Sequence, residues 1–223
     1  MTSEPDHHDH GETERNSPAA WDTRYTDRDQ VWSGEPNGAL VTETADLPPG
    51  RALDVGCGEG ADAVWLSRRG WQVTALDVSQ VALARAARAA ARGAGPGASG
   101  EIQWLLAGLP GAPLQPGTFD LVSAQYPALL RTPQDDAERS LLALVAPGGV
   151  LLVVHHVDRD REHGRAHGFD PEDYVAPADV AALLDAGWDV EVHEERPRAV
   201  SGGAGSHHTV DVVLKARRRW PVL

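Results

Sequence analysis

One stretch limits what this chain can fold into more than any other. Leu53-Asp54-Val55-Gly56-Cys57-Gly58-Glu59-Gly60 reads as a strand that runs into a glycine loop and then into a helix. Glycines at alternate positions let the backbone turn tightly and approach a bound ligand closely. A second acid, Asp77, ends the next apolar run over 72–77, where a carboxylate can accept hydrogen bonds from both hydroxyls of a ribose. Loop, strand context and terminal acid together indicate a nucleoside-binding α/β sheet.

The flanking pattern supports such a sheet. Apolar strand-like runs fall at 51–55, 72–77, 101–106, 119–124 and 149–156, with helical stretches at 61–69, 79–92 and 134–146 between them. That alternation predicts a doubly wound, Rossmann-like sheet of mostly parallel strands. Ser79 is suited to cap the 79–92 helix, and Gly93-Ala94-Gly95-Pro96-Gly97 breaks it. The last third changes character. A helix near 177–186 with Pro177 in its first turn precedes strands near 188–196 and 207–216, linked through Gly202-Gly203-Ala204-Gly205. Strands joined without a helix are antiparallel, so seven strands with a final antiparallel one are expected.

Ahead of the sheet, residues 1–18 are acidic and poor in large apolar side chains, which predicts a disordered tail. Its His7-His8-x-His10 cluster reads as solvated. Residues 19–223 are expected to form a single domain, with 19–47 as a lid segment and 51–217 as the core. The lid carries Trp21, Tyr25 and Trp32; Asn37 is placed to cap a short helix through Ala45, and Pro48-Pro49-Gly50 closes it.

Composition removes several functions. Lys+Arg 20 against Asp+Glu 33 gives a net charge of −13, which disfavours nucleic acid as the main partner. Cys57 is the only cysteine and Lys215 the only lysine, so disulfides, cysteine-based zinc and a Walker lysine are excluded. No apolar run reaches the roughly 20 residues of a membrane span, and the polar start resembles neither a signal nor a transit peptide. A cytoplasmic protein, monomeric or homodimeric, with no membrane, nucleic-acid or metal partner is expected.

Gly56-x-Gly58-x-x-Ala61 also satisfies the dinucleotide fingerprint, so an NAD-dependent oxidoreductase is an alternative. Asp54 argues against it, because its charge sits poorly beside a pyrophosphate and suits a cofactor with a cationic amino-acid end. From about Trp21 to Arg217 the chain resembles a class I S-adenosylmethionine (SAM) dependent methyltransferase. Asp54-x-Gly56-x-Gly58-x-Gly60 stands for the first motif, Asp77 for the ribose acid, Phe119-Asp120 for the fourth strand, and Pro147-Gly148-Gly149 for the turn before the fifth.

Within that family, Trp21-x-x-x-Tyr25, Trp32 and Pro36 resemble the thiopurine, thiol/halide and tellurite-resistance methyltransferases. The resemblance implies SAM as cofactor, bound by Trp21, Trp32, Asp54, Gly56, Gly58, Gly60, Asp77, Val78, Ala107, Gly108 and Gln125, with Tyr25 as a buttress. The same aromatics could simply staple the N-terminal helix to the sheet. Leu106-Ala107-Gly108-Leu109 lacks the acid that many members use for adenine. The implied acceptor is a small molecule: a thiol, a thiopurine-like heterocycle or a metalloid oxyanion. A SAM-binding module without turnover is a further alternative.

His155-His156 and His207-His208 are expected at one end of the sheet, and His163 and His167 near its rim. An imidazole there can serve as a general base, a substrate or metal binder, or an ordinary polar residue. His155 and Tyr126 are the expected catalytic residues on the acceptor side.

Overall fold

The computed structural model describes residues 16–93, 100–157, 170–198, 202–204 and 207–221. The remainder, including His163, His167 and the stretch expected as a tail up to residue 15, lies outside the described residues. The elements run α1 (Pro18–Thr26), α2 (Gly38–Glu43), β1 (Arg51–Val55), α3 (Ala61–Arg68), β2 (Gln72–Asp77), α4 (Gln80–Gly93), β3 (Ile102–Leu106), β4 (Phe119–Gln125), α5 (Asp136–Leu144), β5 (Val145–His156), α6 (Pro177–Ala182), β6 (Trp188–Pro197) and β7 (Val210–Arg218).

Seven strands form one sheet in the order β3-β2-β1-β4-β5-β7-β6. β1 to β5 pair in parallel, while β7 is antiparallel to both β5 and β6. The order reverses beside β1, which places the ligand crevice at the carboxyl ends of β1, β2 and β4.

Alternation along each strand sorts the core onto two faces. Leu53, Val55, Val122, Leu151, Val153 and Leu214 pack on one side, whereas Ala52, Leu121, Val150, Leu152, Val154 and Val213 pack on the other with Leu40 and Trp71. The unbroken apolar run over 150–154 reflects burial on both faces.

Several boundaries differ from expectation, and three of them have a clear local reason. α1 begins at Pro18 because Ser17 Oγ accepts from Ala20 N at 3.2 Å, so Ser17 and Pro18, at the end of the expected tail, belong to a capped helix. α6 stops at Ala182, before the expected 186; Asp185 Oδ1 accepts from Gly187 N at 2.8 Å and forms a turn there. β5 starts at Val145 rather than 149. Its register against β4 shifts between Phe119 and Leu121, with Gly148 at φ 80°.

Candidate functional site

The crevice is a cavity of about 870 Å³, toward the top of the roughly 300–1,000 Å³ typical of small-molecule sites. Its floor is the glycine loop, where Gly56, Gly58 and Gly60 have φ of 69°, 53° and 82°, the left-handed region that glycine adopts without a steric cost. A Cβ on Gly58 would lie 3.0 Å from both the Tyr25 hydroxyl and Trp32 Nε1. One on Gly60 would meet Ala86 and Trp104 at 2.7 and 2.8 Å. Gly58 thus makes room under the N-terminal segment, and Gly60 lets the loop press against α4 and β3.

Three carboxylates, Asp54, Asp62 and Asp77, are buried around this loop. Asp77 accepts from Gly58 N at 2.9 Å and Ser79 N at 2.8 Å. Burial raises its pKa, and those N–H bonds offset only part of the effect. Asp62 is occupied by Asn37, whose N and Nδ2 donate to its two oxygens at 2.7 Å each. Asn37 does stand at the start of α2, but its side chain bonds to Asp62 instead of capping that helix.

Asp54 differs from the other two. Its Oδ2 is buried without a hydrogen-bond partner. Burial first, then the charges of Asp62 and Asp77, push its carboxyl well above the usual range. Gln125 Oε1 is a second buried acceptor without a partner, while its Nε2 donates to Ser123 Oγ at 3.0 Å. Asp54 pairs with Ser123 across β1 and β4, so Asp54, Ser123 and Gln125 share a sheet face by alternation. Two unpaired acceptors among three acids fit a ligand whose amino group is cationic, with Asp77 left to take a diol.

The cavity is roofed by the segment around α1 and α2, which is tied down by carboxylates. Asp22 Oδ1 accepts from Ser79 Oγ at 2.6 Å and Val81 N at 3.1 Å, capping α4 from outside. Glu59 Oε2 accepts from Val31 N and Trp32 N at 3.1 and 3.0 Å, while its Oε1 takes Arg85 Nη1 at 3.0 Å. Trp21 Nε1 donates to Asn16 Oδ1 and Asn16 Nδ2 to Ala128 O, both at 2.8 Å. Trp32 Nε1 donates to the Tyr25 hydroxyl at 2.9 Å. Asn16, Asp22, Glu59 and Asp62 did not stand out in the sequence. The one available signal was an acid at a non-glycine position inside a glycine loop.

Trp21, Trp32, Asp54, Gly56, Gly58, Gly60, Asp77, Val78, Ala107, Gly108 and Gln125 all line this cavity, as does Tyr126. His155 is not among the lining residues; His156 is. The reason is parity. His156 follows Leu152 and Val154 onto the cavity face, and His155 follows Leu151 and Val153 onto the other. Tyr126, at φ 53°, donates its hydroxyl to Asp211 Oδ2 at 2.8 Å, and burial raises its pKa. The phenol therefore stays protonated with its proton committed, which suits a wall better than a base. The two histidine pairs converge: His156 and His208 stack with centroids 4.0 Å apart. Among the described residues no group of three or more His, Cys, Asp or Glu side chains could hold a metal ion, and no helix is long and apolar enough to cross a membrane.

Known proteins are similar to this chain in sequence and in fold. A family profile described as a methyltransferase domain matches residues 52–149. An uncharacterized methyltransferase of Mycobacterium tuberculosis is 35% identical over 142 residues, 62% of this chain and 68% of that protein. Ribosomal RNA small subunit methyltransferase C of Alcanivorax borkumensis is 38% identical over 111 residues, 48% of this chain. The aligned region spans only 32% of that relative's length.

Among solved structures, one concerning conversion of a disulfide bond into a thioacetal group during echinomycin biosynthesis is 25% identical with a TM-score of 0.67. The match covers 92% of this chain and 93% of that one. The N-methyltransferase NodS from Bradyrhizobium japonicum, in complex with S-adenosyl-L-homocysteine (SAH), has the same fold, with a TM-score of 0.65 at 18% identity, covering 91% and 98%.

Proposed function

This chain belongs to the class I SAM-dependent methyltransferases, and we propose that it methylates a small molecule held under its own N-terminal roof. The dinucleotide alternative is set aside by that membership. Bound there, SAM would supply a methyl group on a positively charged sulfur, with the neutral thioether as the leaving group for an attacking acceptor. The protein's task is then alignment and exclusion of water.

In this reading Asp54 and Gln125 hold the ammonium end, the backbone of Gly56 and Gly58 gives it room, and Asp77 binds the ribose. Val78, Ala107 and Gly108 border the base, and Trp21 and Trp32 cover the sulfur side. Tyr126 and His156 face the acceptor. The aromatic roof supports the thiopurine, thiol/halide and tellurite-resistance group as the nearer kin. The similarity to a protein of disulfide-to-thioacetal conversion supports sulfur chemistry among the acceptors.

One observation carries the small-molecule part. Val31 and Trp32 are bonded to Glu59 within the glycine loop itself, so the roof closes over the reacting centre and leaves a cavity of about 870 Å³. A net charge of −13 further disfavours a polyanionic acceptor.

Calorimetric titration with SAM, SAH and NADH tests the cofactor, and methyl transfer to thiols, thiopurines, tellurite and RNA tests the acceptor. Micromolar binding of both sulfur nucleosides, lost in Asp77→Ala, with methyl transfer to a small molecule, is the expected result. Transfer to RNA alone refutes the acceptor class. SAM binding without any turnover would make the chain a sensor or partner subunit.

A further inference from the structure

On the acceptor side, four rings from three separate elements form one wall of the cavity. Tyr126 follows β4, His156 ends β5, and His207 and His208 precede β7. Tyr126 and His156 stack at 4.6 Å with planes 19° apart, His156 and His208 at 4.0 Å and 7°, and His207 and His208 at 4.0 Å and 39°. His208 is thus a flat nitrogen heterocycle, supplied by the chain itself, lying face to face on the His156 platform. The Arg198 guanidinium stands 4.5 Å from the Tyr126 ring centroid and its Nε is 3.7 Å from Asp211 Oδ1.

On the same face of the sheet two polar atoms lack a hydrogen-bond partner. Asp211 and His156 are direct partners in the β5–β7 register, so their side chains share a face. Asp211 Oδ1 and His156 Nδ1 are both buried and neither has a hydrogen-bond partner. A carboxylate oxygen in such a place calls for a donor. The surroundings select against net charge in a ligand, since Asp211 repels an anion and Arg198, 3.7 Å from it, repels a cation.

We infer that Tyr126, His156 and Asp211 form a binding subsite for an uncharged, planar nitrogen heteroaromatic that carries a ring N–H, and that His208 occupies the subsite as a displaceable plug. Such a ring replaces His208 on the His156 face and offers its N–H to Asp211. That this ring is the methyl acceptor rests on the reading above; its binding does not. Within the acceptors considered there, the subsite selects a flat heterocycle over a metalloid oxyanion or a simple alkyl thiol.

The test is calorimetric titration of the full chain with benzimidazole, 1-methylbenzimidazole and benzoate, with and without saturating SAH. Benzimidazole is expected to bind about tenfold tighter than its N-methyl derivative, which lacks the donor, with benzoate weaker still. His208→Ala is expected to tighten benzimidazole several-fold by removing the plug, and His156→Ala to weaken it about tenfold. Asp211→Asn should erase the preference for the N–H form. A cooperative thermal unfolding transition, followed by circular dichroism, shows that the fold of each variant is intact.

Equal binding of benzimidazole and 1-methylbenzimidazole, tighter binding of benzoate, or SAH binding with no benzimidazole binding overturns the inference. Selective benzimidazole binding without SAH binding leaves the subsite standing and refutes the cofactor reading instead.

Discussion

Asp54→Asn separates the effect of a buried acid on stability from its proposed role at the ammonium end of the cofactor. In the ligand-free protein the Asp54 carboxyl is pushed well above its usual range by burial and by Asp62 and Asp77. A carboxyl whose folded pKa is raised is favoured in the fold while protonated; that stability is lost as pH rises from the unfolded value, near 3.9, through the folded one. Near pH 8 the ionised group therefore penalises the folded state by about 1.4 kcal/mol for each unit of elevation.

Asparagine keeps the shape, retains an oxygen for the bond from the Ala63 backbone and turns an N–H₂ toward the neighbouring acids. The unliganded variant should be more stable than the parent at pH 8, with Tm rising about 2–4 °C per kcal/mol recovered. The advantage should shrink as pH falls toward 4, where the folded carboxyl is protonated and the unfolded one about half so. Cofactor binding should move in the opposite direction. Loss of a charged hydrogen-bonding partner, worth about 1.5–3 kcal/mol, weakens SAM and SAH by roughly 10- to 150-fold. Differential scanning calorimetry from pH 4 to 8 and isothermal titration at pH 8 read both effects. A variant less stable than the parent at pH 8, or one that binds SAH equally well, would refute the assignment of Asp54 to the ammonium end.

Other perturbations follow from the same geometry. Glu59→Ala releases Val31 N, Trp32 N and Arg85 together, so stopped-flow fluorescence should show SAH leaving about tenfold faster. Glu59→Gln, which keeps an acceptor for the two N–H groups, should fall between the two. Gly58→Ala puts a Cβ 3.0 Å from Tyr25 and Trp32 at φ 53°; a stability loss of at least about 1–2 kcal/mol and loss of SAH binding are expected by denaturant titration and calorimetry. His156 is held neutral, its pKa lowered to about 2 by burial and then by His155 and its other cationic neighbours. A lowered histidine favours the folded state above its unfolded value and costs stability as pH falls below about 6.5. Its NMR resonances should not titrate between pH 5 and 8, and His156→Phe should flatten the acid limb of the stability curve.

Much of the fold was legible because local rules sufficed for it. Glycines at 56, 58 and 60 adopt the backbone conformations that a loop between strand and helix demands, and Asp77 ends its strand at the place where a ribose acid is useful. Helix and strand ends proved less legible. Asp185 and Ser17 redirect single hydrogen bonds that no periodicity announces.

The sequence by itself determined the mostly parallel sheet, its antiparallel end and the glycine loop between the first strand and its helix, since these depend on spacing along one chain. Only the tertiary structure decided which histidine faces the cavity. One residue of strand parity moves that imidazole from one face of β5 to the other, and the parity is set by pairing with β4 and β7. A lid segment is expected from the sequence, but the bonds that hold it down belong to the tertiary structure alone. Asp22, Glu59 and Asp62 read as ordinary acids until folding brings them to backbone N–H groups distant in the chain.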